Sequence, residues 1–276
     1  MRKNIFIFMT VLVLSILFSG SKASAMTENS KMNTIKNNSI YDIKSANLDE
    51  KNQGENINVD AIPKIIASIP EEKIYLYALQ EQDPMYQGLV LSINGVNKFF
   101  DWETISMASD LPELYYLDLN NDDKKELVVI LSEGRGTGSW IRKVHIINCE
   151  ELTEYKVKNA LEIIKDNVET KILSKKEVAI KINDIIYSIK IGTIPNEFLG
   201  TNPSEVLKIY YTDYIDYYLI DNKLIVDVGV ETESLKYLGY IIIDYSFKDG
   251  EFKANKIIFE GNDTVTVTIH KLNKTK

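Results

Sequence analysis

The chain has 276 residues, 45% of them hydrophobic, with 32 Lys and Arg against 40 Asp and Glu, for a formal charge of −8. Such a balance disfavours nucleic acid and anionic lipid as partners, since neither a phosphate-neutralising patch nor a basic amphipathic face is present. One cysteine, Cys149, excludes an internal disulfide, and with two histidines a zinc site of His and Cys is nearly excluded by count.

The first predicted element is a leader. Arg2 and Lys3 precede an apolar run from Ile5 to Phe18, and Ala23-Ser24-Ala25 follows as a small-x-small cleavage site. A membrane span needs roughly 20 apolar residues, so residues 1–25 read as a signal peptide, with the mature chain starting near Met26. No cysteine follows the apolar run, so no lipid anchor is expected. Losing Arg2, Lys3 and Lys22 moves the charge from −8 to −11. The expected location is secreted or extracellular, in association with the cell envelope, with no membrane span after cleavage. What remains is long enough to bury a core without disulfide staples.

Residues 26–59 are rich in Asn, Lys, Glu and Ser with no sustained period, and read as a disordered linker. Residues 60–276 then read as a single α+β domain, or as two β-rich halves packed tightly together. Ile74 to Gln80 and Gly88 to Phe100 are the first strand runs, and Asn94-Gly95 is the strongest short hairpin signal in the chain. "YYLDL" and "ELVVIL" flank an acidic loop, and "IRKVHII" follows a glycine cluster. The spacing of Val157, Leu161, Ile164 and Val168 predicts a helix over 157–168. Three hairpins follow, with Asn183-Asp184, Asp221-Asn222 and Asp249-Gly250 at their tips. Between Ile194 and Tyr211 a brief helix or irregular crossover fits. The fold class is therefore α+β, mainly antiparallel β-sheet hairpins with one or two helices.

The stretch "DLNNDDKKE" carries the best candidate site. Hard cations take six to eight oxygen ligands, and alternating side chains in a tight loop can aim several at one centre. Asp118, Asn120 and Asp122 would be side-chain ligands of calcium, Lys124 the carbonyl donor, and Glu126 a direct or water-mediated ligand. It is not an EF-hand: Asp123 stands where that loop needs glycine, and Val129 where it needs glutamate. The competing reading is a polar turn whose Asx side chains bond their own backbone.

Other motifs point to structure rather than chemistry. Gly134 to Ser139 neither opens a helix nor ends in Gly-Lys-Ser/Thr, so it reads as a turn between strands, with an anion nest at Arg135 as the alternative. His145, inside a strand, reads as a core histidine, and Cys149 as a core-edge thiol. "IYYTDYIDYY", 209–218, offers tyrosines either to a binding face or, by alternation, to the core. No Gly-x-Ser-x-Gly elbow is present, and nothing selects a pair of catalytic carboxylates.

The run "YYLDLNNDDKKELVVILSEGRGTGSWIRKVHIIN", with "IIKDNVETKI" and "LGYIIIDYSFKDGEFKANKIIFE" downstream, resembles uncharacterised secreted or extracytoplasmic domains of Gram-positive spore-formers over about residues 70–260. Similar domains occur attached to membrane metallopeptidases of the antirepressor type, and the acidic loop looks like that of FG-GAP and VCBS repeats. The resemblance implies loop ligands at Asp118, Asn120, Asp122 and Glu126, and no catalytic residue. No His-Glu-x-x-His occurs here, so peptidase activity does not follow. The expected function is a secreted non-enzymatic binding or sensing module at the cell envelope, with calcium as the candidate cofactor. Its partner would be an envelope ligand or protein. The alternative is a secreted carboxylate-dependent hydrolase, whose sign would be a cleft lined by two or more acids.

Overall fold

Turn chemistry sets the strand ends, and these turns can be followed in the computed structural model of the chain. It describes residues 63–136, 139–191, 208–211, 214–232 and 237–272. The leader at 1–25, the linker at 26–59 and most of the 194–211 connection lie outside the described residues. Asn94 and Gly95 both have positive φ, as do Asp221 and Asn222, and Asp249 and Gly250. Each pair therefore closes a two-residue hairpin whose twist matches the flanking strands.

Among the described residues there are seventeen strands, one α-helix and two single-turn 3-10 segments. β1 (Lys64–Ile69), β2 (Ile74–Gln82), β3 (Met85–Ile93) and β4 (Val96–Ile105) form an antiparallel sheet in chain order. β5 (Glu113–Leu117), β6 (Glu126–Gly136), β7 (Ser139–Asn148) and β8 (Thr153–Val157) begin a nine-stranded sheet. It is completed by β12 (Ile209–Tyr210), β13 (Tyr214–Ile220), β14 (Lys223–Thr232), β15 (Tyr237–Lys248) and β16 (Glu251–Gly261). β9 (Val168–Ser174), β10 (Glu177–Ile182), β11 (Ile185–Ile191) and β17 (Val265–Lys271) make a third sheet, ordered β17-β11-β10-β9. The α+β class, mainly antiparallel with one helix among the described residues, stands.

The large sheet returns on itself. The hydrogen-bonded path β7–β8–β16–β15–β14–β13 ends back at β7, because Tyr214 and Ile215 pair in parallel with Trp140 and Ile141. β8 meets β16 by an equally short parallel contact, Lys156 and Val157 beside Glu251 and Phe252. On this edge of β7, β13 pairs at 140–141 and β8 at 146–148, with no ladder between them.

β6 explains the unbroken apolar run "LVVIL", since it is covered on both faces. Val128 and Ile130 enter one core with β10, β11, β14, β15 and the helix; Leu127, Val129 and Leu131 enter another with β2, β3 and β4. All five are essentially inaccessible, and burial of such side chains is worth about 1.5–3 kcal/mol each. The two cores share one wall. Thr104 of β4 fastens the first sheet to that wall: its hydroxyl donates to the Ser132 carbonyl and accepts from the Ser132 N–H, where the β6–β7 register slips.

The helix is shorter than its periodicity predicts. α1 runs Ala160–Asn167, with Asn159 as N-cap accepting from the N–H groups of Leu161 and Glu162. Val157 belongs to β8 and Val168 opens β9. Both pack against the same core as the helix, so apolar spacing alone extended the pattern into the neighbouring strands.

Candidate functional site

The acidic loop folds onto its own backbone. Asp118 accepts from the N–H groups of Asn121 (2.8 Å) and Asp122 (3.2 Å) with one oxygen and of Asp123 (3.1 Å) with the other. Asn120 accepts from Asp122 N–H at 2.9 Å, and Asp122 from Lys124 N–H at 2.9 Å. Asn121 and Asp123 take left-handed φ of 62° and 66°, the conformation that short polar side chains tolerate. Glu126 opens β6 almost fully buried and accepts from the N–H groups of Leu119 and Asn120. Burial raises its carboxyl above the usual range, against those two hydrogen bonds.

The loop brings Asp118, Asn120, Asp122 and Glu126 into one hydrogen-bonded unit. Lys124 turns its ammonium outward to Glu150 at 2.7 Å. The Asn120 amide nitrogen lies 3.1 Å from Asp122 Oδ2 and 3.1 Å from Glu126 Oε1, a donor between two carboxylates. These are hard oxygen donors of the kind calcium takes, and a cation at that point would displace the Nδ2 donor. No group of three or more His, Cys, Asp or Glu among the described residues is arranged to hold a metal.

The remaining motifs are absorbed by structure. Arg135 donates to both oxygens of buried Asp110 (2.6 and 2.7 Å) and to Ser109, and its guanidinium covers the Trp140 ring at 4.7 Å. Residues 137–138 of the glycine loop lie outside the described residues. Burial, the largest influence on Asp110, pushes its carboxyl up, but Ser109 and Arg135 together outweigh it and hold the group below its ordinary value. Beside this pair, buried Arg142 bonds Glu113 and, at 3.1 Å, Asp216. Asp216 also accepts from Trp140 Nε1 and the Tyr214 hydroxyl. Of the 209–218 tyrosines, Tyr217 is buried and Tyr210, Tyr211, Tyr214 and Tyr218 are half-buried, so none of the five stands fully exposed. Cys149 packs against the second core, where burial pushes its thiol up to about 11, far from a reactive thiolate.

A cleft that sequence reasoning missed lies along the free edge of β4. It has a volume of about 580 Å³, within the range of small-molecule sites. Its outer lip carries Phe99, Asp101 and Glu103 of β4 with Gln87 and Gly88 of β3; its inner wall carries Trp102, Glu133, Lys143 and His145. The β3–β4 register slips at Gly88, which has φ of +63°, and a Cβ there would meet the Phe99 ring at 3.2 Å. The glycine therefore lets that ring lie against the strand.

His145 is 4% exposed, and its ring stacks on Trp102, which stacks on Phe100, each at 4.1 Å between centroids. Nδ1 lies 2.6 Å from Glu154 of β8, while Nε2 is buried with no hydrogen-bond partner. The neutral imidazole that donates from Nδ1 to Glu154 presents a lone pair at Nε2. Lys143 is ion-paired to Glu133 at 3.1 Å. Glu103 accepts a long contact from Gln87, and Asp101 has no ion-pair or hydrogen-bond partner among the described residues. The available signal was the alternation in "FFDWETI", which sets Phe99, Asp101 and Glu103 on one face of β4 and Phe100, Trp102 and Thr104 on the other.

Comparison with protein-family models, with curated proteins and with solved structures finds no match for this chain. Among the described residues no helix is long and apolar enough to cross a membrane.

Proposed function

We propose that this chain is a secreted, non-enzymatic binding or sensing module at the cell envelope, with the β4 cleft as its ligand site. The observation that carries this reading is the cleft itself, lined by His145 with its buried Nε2, by Phe99 and Trp102, and by Asp101 and Glu103, which have no ion-pair partner among the described residues. Secretion rests on the leader at 1–25. The chain has two tryptophans, so Trp102 in the cleft and Trp140 outside it supply separate indole N–H resonances. Soluble fragments of Gram-positive cell envelope are expected to shift the Trp102 signal saturably and leave that of Trp140 in place. A Trp102 signal unmoved by every fraction would remove the reading.

A second reading, the carboxylate hydrolase, draws on Asp101, Glu103 and Glu133 lining the same cleft. Such chemistry needs one carboxyl to give a proton and another across the scissile bond. Glu133 is committed to Lys143, which leaves the binding reading ahead. New low-mass products appearing in the same fractions on incubation would reverse that order.

Calcium belongs to this proposal as a structural clip held by Asp118, Asn120, Asp122 and Glu126, with the Lys124 carbonyl, far from any chemistry. A ligand at ten times its Kd stabilises the native state by about 1.4 kcal/mol, which for a chain this long is a rise of roughly 3–5 °C. Calorimetry in millimolar calcium is expected to show that rise over EDTA, and its loss in Asp118→Ala/Asp122→Ala. Equal midpoints in calcium and EDTA would leave a self-bonded polar turn.

A further inference from the structure

The cleft's charge and hydrogen-bonding inventory narrows what it can hold. Three carboxylates line it against one lysine, and that lysine is taken by Glu133. Among the described residues Asp101 and Glu103 have no ion-pair partner. Two carboxylates so placed disfavour an anionic ligand and favour a positive one. Gln80, Gln87, the Trp102 indole N–H and the paired Lys143 can donate, whereas Asp101, the remaining lone pairs of Glu103 and, with its proton at Nδ1, His145 Nε2 can accept. A buried acceptor with no partner costs the fold free energy that a bound donor would restore. Phe99, 41% exposed, and Trp102 add the aromatic surface against which an alkyl stem or a cation packs.

Resting on the cleft as the ligand site, we propose that its ligand carries an organic cation with N–H donors, a guanidinium or primary ammonium on a short aliphatic stem. Asp101 and Glu103 balance its charge, the aromatic rings cover the stem, and His145 Nε2 accepts one N–H. Glu154 acts as a positioning residue: its carboxylate draws the imidazole proton to Nδ1, and in that neutral tautomer Nε2 is an acceptor. The same headgroup is available from a free amine or from an Arg or Lys side chain of a peptide.

The test uses probes of one length that differ in headgroup, n-butylguanidinium (cation), n-butylurea (neutral) and valerate (anion), titrated while the Trp102 and Trp140 indole resonances are followed. Butylguanidinium is expected to move the Trp102 signal with a Kd about tenfold or more below that of butylurea, and valerate to leave it unmoved. Asp101→Asn/Glu103→Gln, at exposed positions, should keep the unfolding midpoint and lose that preference. Urea or valerate binding as tightly as guanidinium overturns the cationic assignment while the cleft stands as a site. Silence from all three overturns this assignment too, and a response of Trp102 to envelope fragments alone would then separate it from the broader reading. Tighter binding of N-acetyl-arginine-N-methylamide than of butylguanidinium assigns the cation to a peptide; the reverse assigns it to a free amine.

Discussion

Replacing Gly239 by alanine is expected to destabilise the domain by at least about 3 kcal/mol, an overpacking cost at the upper end for one methyl group. Gly239 sits in β15 with φ of +143°, opposite Val230 of β14 and Gly261 of β16, where the β14–β15 register slips. A Cβ there would lie 2.0 Å from the Glu260 carbonyl oxygen and 2.8 Å from the Gly261 Cα. Neither neighbour is a flexible side-chain tip, so the strands themselves would have to separate. Gly95 provides the control. It too has a positive φ, +85°, but a Cβ there would meet nothing within 4 Å. Gly95→Ala should therefore cost only the left-handed conformation, about 1–2 kcal/mol. Urea unfolding of both variants separates backbone preference from collision, and equal losses would remove the steric account.

Arg142→Met should cost about 3 kcal/mol, the lower end for breaking a buried ion pair from one side. The Arg142 side chain is 8% exposed and faces Glu113, 42% exposed, and Asp216, 23% exposed. Glu113 can turn to water and keeps the Tyr115 hydroxyl at 2.5 Å. Asp216 is more enclosed and falls back on Trp140 and Tyr214 at 3.3 and 3.4 Å. The loss is thus mostly the stranded Asp216 charge, and adding Asp216→Asn to Arg142→Met should recover part of it. If the double variant is less stable than Arg142→Met alone, the stranded-charge account is wrong. Denaturant midpoints at constant slope give the comparison.

The hairpins were legible because their information is local: Asn94-Gly95, Asp221-Asn222 and Asp249-Gly250 each state the backbone conformation they adopt. β6 was legible for a similar reason, as its apolar run needs no partner to be recognised. β1 and β9 escaped because they are largely exposed, so burial writes no clear period into "KIIASI" or "VETKILS", whereas the alternation of Val265, Val267 and Ile269 in "VTVTIHK" was a strand signal left unread. The helix was placed but overrun, since Val157 and Val168 contribute to the core from strands. The acidic loop was legible as a polar turn with ligand chemistry. The cleft was not, because it draws Gln87, Asp101, Glu133 and His145 from four strands whose juxtaposition depends on one sheet lying over another.

The closure of the large sheet has a consequence for how the chain reaches this fold. Its antiparallel pairs mostly join neighbours in sequence and can form early, hairpin by hairpin. The two parallel joins, Trp140–Ile141 with Tyr214–Ile215 and Lys156–Val157 with Glu251–Phe252, bring together distant segments for two residue pairs each. Their loop-closure entropy is offset by little hydrogen bonding of their own. They therefore act as clasps that fasten only once the core has condensed, and it is side chains across them, Arg142 to Asp216 and Lys156 to Glu251, rather than the ladder that hold them shut.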